Sequence, residues 1–243
     1  MSLRITGATA LRVLQQLRHD PRTLALIVFV PCVLITLLKY VFLDGHVFDR
    51  IGGPLVGIFP LTSMFVVTSI TMLRERTTGT LERLMTMPLS KLDLLLGYAA
   101  AFALVAMCQA GLVAALAFGV LGLNVAGPTW AVILLAMANA LLGMALGLFV
   151  SAFARSEFQA VQFLPAFIFP QILLCGLLAP RREMAQFLYV ISWALPVTYA
   201  YGALERVTRG IYGAELAAYV LAVEAFTVLA LIAGAGTLRR RTA

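Results

Sequence analysis

The segment Arg74-Glu75-Arg76-Thr77-Thr78-Gly79-Thr80-Leu81-Glu82-Arg83-Leu84-Met85-Thr86-Met87-Pro88-Leu89-Ser90-Lys91 concentrates charge between two long apolar runs. A proline disfavours helical geometry in the residue before it, so the pattern predicts a short helix that stops near Thr86. Leu81, Leu84 and Met85 form one apolar ridge on that helix, beside Glu82 and Arg83. The chemistry on offer is docking: a compact knob for a cytoplasmic partner. The alternative is a solvated turn whose charges only fix topology.

Two further ionisable residues stand inside apolar runs. Glu224 lies near the middle of the run 214–236, roughly 15 Å from its start at ~1.5 Å per residue. A carboxylate at that depth costs about 2.5–3.5 kcal/mol on insertion scales, which makes it a candidate pathway residue. The competing reading is a protonated or paired packing residue. Lys39 is close enough to the end of its run to snorkel to the headgroups. If the two meet, they form a structural lock or part of a pathway.

Catalytic and metal chemistry find little support. The two histidines, His19 and His46, fall on opposite sides of the membrane in the topology below, and a Ser-His-Asp arrangement needs its groups within hydrogen-bond reach. Cys32, Cys108 and Cys175 each lie inside an apolar run, away from any metal-ligand spacing, and read as packing residues. No G-x-x-x-x-G-K-[ST] string is present, so any ATP-driven work needs a motor on another chain.

The elements that must position these residues follow from composition. Of 243 residues, 62% are hydrophobic and 12% charged, and the mean hydropathy is +0.97. That is more apolar surface than one globular core can bury, so an all-α polytopic membrane protein is expected. Apolar runs at 24–43, 54–73, 94–122, 128–154, 158–179 and 214–236 give six spans of a single transmembrane domain, 1–243. The polar stretch ahead of the first run argues against a cleaved signal peptide. The net charge of +7 is dispersed between the runs, not clustered on a soluble face as nucleic-acid binding would need.

Basic residues in short loops set orientation. Twelve of the 18, including Arg74, Arg76, Arg155 and Arg239, fall on the side of both termini; five, Arg50, Arg181, Arg182, Arg206 and Arg209, fall on the other. Both termini are therefore expected in the cytoplasm of a cell-membrane protein. Residues 1–23 contain an amphipathic candidate over 3–18, with Leu11, Leu14 and Leu17 on one side, which reads as an interface helix or a solvated tail. Residues 180–213 contain two more: Met184, Phe187, Leu188 and Ile191, then Val197, Tyr201, Leu204 and Thr208 after Pro196. These are expected as extracellular helices, interfacial or re-entrant. Pro31, Pro60, Pro165 and Pro170 interrupt spans, as kinks near a pathway or as ordinary bundle packing. Gly143 with Gly147, and Gly111 with Ala115 and Gly119, read as small-residue packing faces.

The string Arg74 to Leu89 resembles the signature of type-2 ABC transporter permeases, especially the branch of daunorubicin and nodulation-factor exporters. Phe169-Pro170, Cys175 to Met184, and Leu195-Pro196-Val197-Thr198-Tyr199 resemble the later segments of that branch, and with six spans the likeness covers nearly the whole chain. The resemblance implies that residues 74–93 form a coupling loop docking into a separate ATPase subunit, with Glu75, Gly79, Leu81, Glu82 and Leu84 in that role. It implies that Pro196, Thr198 and Tyr199 belong to helices closing the outer mouth; Glu224 and Lys39 remain pathway or gate candidates from their position in the spans alone. Where the family carries an acidic residue after Pro-x-Thr-Tyr, this chain has Tyr201-Gly202-Ala203-Leu204-Glu205, which weakens any polar gating role at Gly202.

The resulting expectation is a permease subunit with no cofactor of its own, ATP and magnesium being held by the partner ATPase. A second permease subunit, identical or homologous, would complete a pathway for a drug, lipid or glycolipid-like cargo. The rival readings are a proton-coupled secondary transporter using Glu224 and a membrane scaffold that transports nothing.

Overall fold

A computed structural model describes residues 3–42, 45–79 and 91–237, and the described residues contain helices and no strand. Six helical stretches are long and apolar enough to cross a bilayer. They are α2 (Pro21–Val41), α3 (Gly45–Thr77), α4 (Lys91–Ala114) with a π-helical turn over Ala115–Val120, α5 (Thr129–Val150), the broken fifth span, and α10 (Ala214–Gly236). The fifth is α6 (Glu157–Phe163), a π-helical turn over Leu164–Ile168 and α7 (Phe169–Leu174). An amphipathic helix, α1 (Leu3–Arg18), precedes them, and α8 (Gln186–Ser192) and α9 (Pro196–Thr208) lie before the last span.

Local chemistry sets several of these boundaries. Asp20 caps α2 by accepting from the Thr23 amide at 3.2 Å and the Thr23 hydroxyl at 2.7 Å, and Pro21 supplies a first-turn residue with no amide to satisfy. Ser156 caps α6 through the Gln159 amide. The fifth span ends by Leu174, short of the apolar run to 179, because Gly176 takes a left-handed φ of 106°. The second span, at 33 residues, outruns its apolar core at both ends; Asp49 in its first turns accepts from the Asn124 amide at 2.9 Å.

The centre of the bundle is α3 against α5. A Cβ on Gly143 would sit 2.1 Å from the Leu61 carbonyl oxygen, and one on Gly147 2.4 Å from that of Phe65. Nothing larger than hydrogen fits, so the backbones pack in direct contact. A Cβ on Gly111 or Gly119 meets open space, so neither glycine is packed against another described helix of this chain.

Pro31 lies inside α2. Lacking an amide hydrogen, it leaves the carbonyl of Ile27 without its helical donor. Gln109 of α4 supplies one, donating from Nε2 to the Ile27 oxygen at 2.6 Å, buried in the bundle. A side chain of the third span thus completes the backbone of the first.

The helices α8 and α9 meet at 85°. Val197, Tyr201, Leu204 and Thr208 are all buried, so the ridge expected on α9 faces the core, against α3, α5, α7 and α10. Gly57 admits it: a Cβ there would lie 2.5 Å from Leu204 Cδ1 and 3.2 Å from the Ala136 backbone. The α8 ridge behaves differently, with Phe187 and Ile191 exposed. Among the described side chains of α1, which packs on α4, Thr9, Val13 and Leu17 are buried, and Leu11 is exposed rather than aligned with Leu17.

Candidate functional site

Three consecutive side chains at the end of α3 reach most of the helices around them. Arg74 donates from Nε and Nη2 to the two carboxylate oxygens of Glu157, at 2.7 and 3.0 Å, and from Nη1 to Asp20 at 3.1 Å. Glu75, 1% exposed, accepts from Arg12 Nη1 of α1 at 3.2 Å, and the same guanidinium donates to the Tyr98 hydroxyl of α4 and lies over its ring. Arg76 donates to the Thr237 hydroxyl at the end of α10, at 3.0 Å. Successive residues on a helix point about 100° apart, so one turn faces three directions. The second Glu75 oxygen is buried with no hydrogen-bond partner among the described residues.

Asp20 carries its charge readily. Its carboxyl is held below the ordinary aspartate value by the Thr23 hydroxyl first and then by the Thr23 amide, with burial opposing and Arg74 adding to the lowering.

A groove of about 380 Å³ opens between α2, α3 and the fifth span. Leu26, Val30 and Leu34 line it from α2; Ile58, Phe59, Val66, Val67 and Ile70 from α3; Leu164, Phe169 and Ile172 from the fifth span. Its hydroxyls are Thr23, Thr62, Ser63 and Thr71, and those of Thr23 and Thr62 are already engaged, by Asp20 and by the Phe59 carbonyl. Leu26, Val30, Leu34 and Phe169 are exposed, so the groove opens sideways from the bundle. It is an apolar site with no charge at its walls and a volume in the range of small-molecule pockets.

At the opposite end lies an aromatic cluster. Tyr199 donates to the Trp193 carbonyl at 2.6 Å and sits 5.5 and 5.7 Å from the rings of Tyr219 and Phe226. Arg181 stacks on Trp193 at 4.0 Å and donates twice to Ser192. Pro196 opens α9 and is buried; Thr198 is 1% exposed, its hydroxyl without a hydrogen-bond partner among the described residues. Gly202 is a close-approach position, since a Cβ there would enter the Tyr219 ring at 2.3 Å.

The candidates read from the sequence thus divide among three places. Glu75 is at the junction; Gly79 follows α3 with a φ of 72°, and Leu81, Glu82 and Leu84 lie outside the described residues. Pro196, Thr198 and Tyr199 are in or beside the aromatic end. Glu224 is exposed on α10 and is not among the groove residues. Lys39 lies 4.6 Å over the Phe48 ring, and no ion pair joins it to Glu224 among the described residues. Sequence reasoning missed Arg12, Tyr98, Asp20, Glu157 and Thr237, whose partners are distant in the chain. The capping pairs Asp20-Pro21 and Ser156-Glu157 were the available signal for two of them.

Together these features define a polytopic α-helical membrane protein in which one helix end is tied to its neighbours beside an apolar groove. The profile of the ABC-2 type transporter family matches residues 6–207, and the chain belongs to that family, a family of transport permeases. It is 28% identical over 161 residues to the probable multidrug ABC transporter permease YbhR of Escherichia coli K12, a match covering 65% of this chain and 42% of that protein. Over 150 residues it is 28% identical to the inner membrane transport permease YhhJ of the same strain, covering 61% and 40%. ABC transporter G family member 20 of Dictyostelium discoideum is 24% identical over 159 residues, 65% of this chain and 22% of that protein. The matches therefore span less than half the length of these relatives.

Proposed function

We propose that this chain is the transmembrane subunit of an ATP-driven exporter. It moves an amphipathic drug-like or lipid-like cargo along the groove between α2, α3 and the fifth span. The observation that carries this reading is the pairing of that apolar, side-opening groove with a densely tied junction at the end of the same helix that lines it. Cargo partitioned into the bilayer meets the groove from the side, and hydroxyls give weak polar anchors without the desolvation of a charge. The name of the Escherichia coli relative supports a multidrug cargo, and the strings around residues 74–89 and 195–199 support the daunorubicin and nodulation-factor branch.

Both termini, residues 74–93 and the Arg74 end of the groove face the cytoplasm in this reading, and residues 180–213 face outside. Residues 74–93 dock on a separate ATPase chain that holds ATP and magnesium. A second permease subunit faces this one. Glu82→Lys or Leu84→Asp should leave the protein inserted yet uncouple it, because an unpaired charge buried at an interface is strongly disfavoured. The test is copurification with an ATPase, and ATP hydrolysis stimulated by reconstituted permease. Unchanged stimulation and transport in both variants would remove the coupling assignment.

A further inference from the structure

We propose that Arg74 is an ionic strap closing the cytoplasmic end of the groove, so that cutting or releasing it admits solvent and cargo from that side. This rests on the groove being the cargo path, and it names the group that regulates access to it. The three walls of the groove end at one guanidinium. Arg74 lies one turn beyond Ile70 and Thr71, which line the groove from α3. Asp20, its partner at 3.1 Å, caps the helix whose Thr23 lines the second wall. Glu157, held through both oxygens, opens the helix that leads to Leu164 in the third wall.

The exposure of the strap fits a device that opens. The three side chains are 47%, 31% and 53% exposed, and ion pairs at such sites are individually weak and screened by salt. A buried pair in the same place would hold the walls permanently. Arg74 also leads directly into Glu75, which Arg12 holds, so movement at this end of α3 reaches the strap through the same helix. Beside the strap, Arg12 is engaged with Glu75 and Tyr98, and Arg76 with Thr237.

The experiment is thiol labelling of the full chain in inside-out vesicles, with Cys32, Cys108 and Cys175 replaced and Ser63→Cys placed in the groove. A charged, membrane-impermeant methanethiosulfonate is the probe. Labelling tracks the open fraction, so Arg74→Gln and Glu157→Gln should each speed it about tenfold. Raising salt from about 0.05 to about 0.5 M should speed it with the strap intact and leave the Arg74→Gln rate unchanged. Gln16→Cys, exposed on α1 and cytoplasmic in this reading, should react at the same rate in all backgrounds. Rates at Ser63→Cys that ignore both substitutions and salt overturn the strap, as does an equal rise at both positions, which would mean general loosening. If Arg74→Gln fails to insert, Glu157→Gln and the salt series still decide. The assay needs neither ATPase nor cargo, so its failure leaves the permease reading standing, and failed ATPase coupling leaves the labelling result intact.

Discussion

Arg12 and Glu75, 63 residues apart, form an ion pair at 3.2 Å in which the carboxylate is almost wholly buried and the guanidinium a third exposed. The N-terminal helix α1 is thereby fastened to the end of α3. The asymmetry predicts the response to substitution. Arg12→Met strands a buried carboxylate and should cost about 2–3 kcal/mol, whereas Glu75→Gln keeps an acceptor and should cost about 1 kcal/mol or less. The double variant should recover part of the Arg12→Met loss. Thermal unfolding in detergent measures all three, and equal losses from the two single variants would contradict the pairing.

The Gln109 contact beside Pro31 makes a second expectation. Gln109→Leu removes the donor to the Ile27 carbonyl and should destabilise by about 1 kcal/mol. In a Pro31→Ala background the backbone supplies its own donor, so the same substitution should cost much less. A Gln109→Leu effect of the same size in both backgrounds would refute this account.

Glycine positions separate sharply. Gly147→Ala drives a methyl into the Phe65 carbonyl and should destabilise by about 1–3 kcal/mol, and Gly147→Leu should prevent assembly of the bundle. Gly111→Ala meets open space and should be neutral or stabilising by about 0.5–1 kcal/mol, through lower backbone freedom in the unfolded chain. Yields of monodisperse protein and melting temperatures test the contrast.

Proton linkage at Asp20 has a defined sign. Its folded-state value is depressed by Thr23 and Arg74, so its stabilisation is fully present above the ordinary aspartate value and fades as pH falls through the lowered one. The wild-type melting temperature should therefore exceed that of Asp20→Asn at neutral pH, with the gap closing toward acid. A gap that widens on acidification would show that the carboxylate is not the stabilised form.

The helical architecture was legible because the solvent for these helices is hydrocarbon: six apolar stretches need no tertiary information to be found. The inward face of α9 was legible for a similar reason, since Val197, Tyr201, Leu204 and Thr208 repeat with helical period. The same rule misplaced Leu11, because α1 packs through Thr9 and Val13 and small polar residues carry little weight in a hydrophobic pattern. Gly111 and Gly119 show the reach of spacing alone: it says that two backbones could touch there, and not which helix would supply the second. The partners of Arg74 and Glu75 were illegible because charge identity carries no address, and their partners lie 54, 83 and 63 positions away.

The 33 residues of α3 make a rod of about 50 Å, well beyond the ~30 Å of hydrocarbon that a bilayer presents. Both prolines inside it, Pro54 and Pro60, fall in the half away from Arg74, leaving the stretch from Leu61 to Thr77 uninterrupted. That stretch is a lever about 25 Å long whose fulcrum is the contact of Leu61 and Phe65 with the glycines of α5. A tilt of about 5° there carries its tip through roughly 2 Å, enough to break a hydrogen bond. Small angular displacements at the fulcrum are thus amplified into loss of contact at the tip, and the mechanical advantage is set by helix length alone.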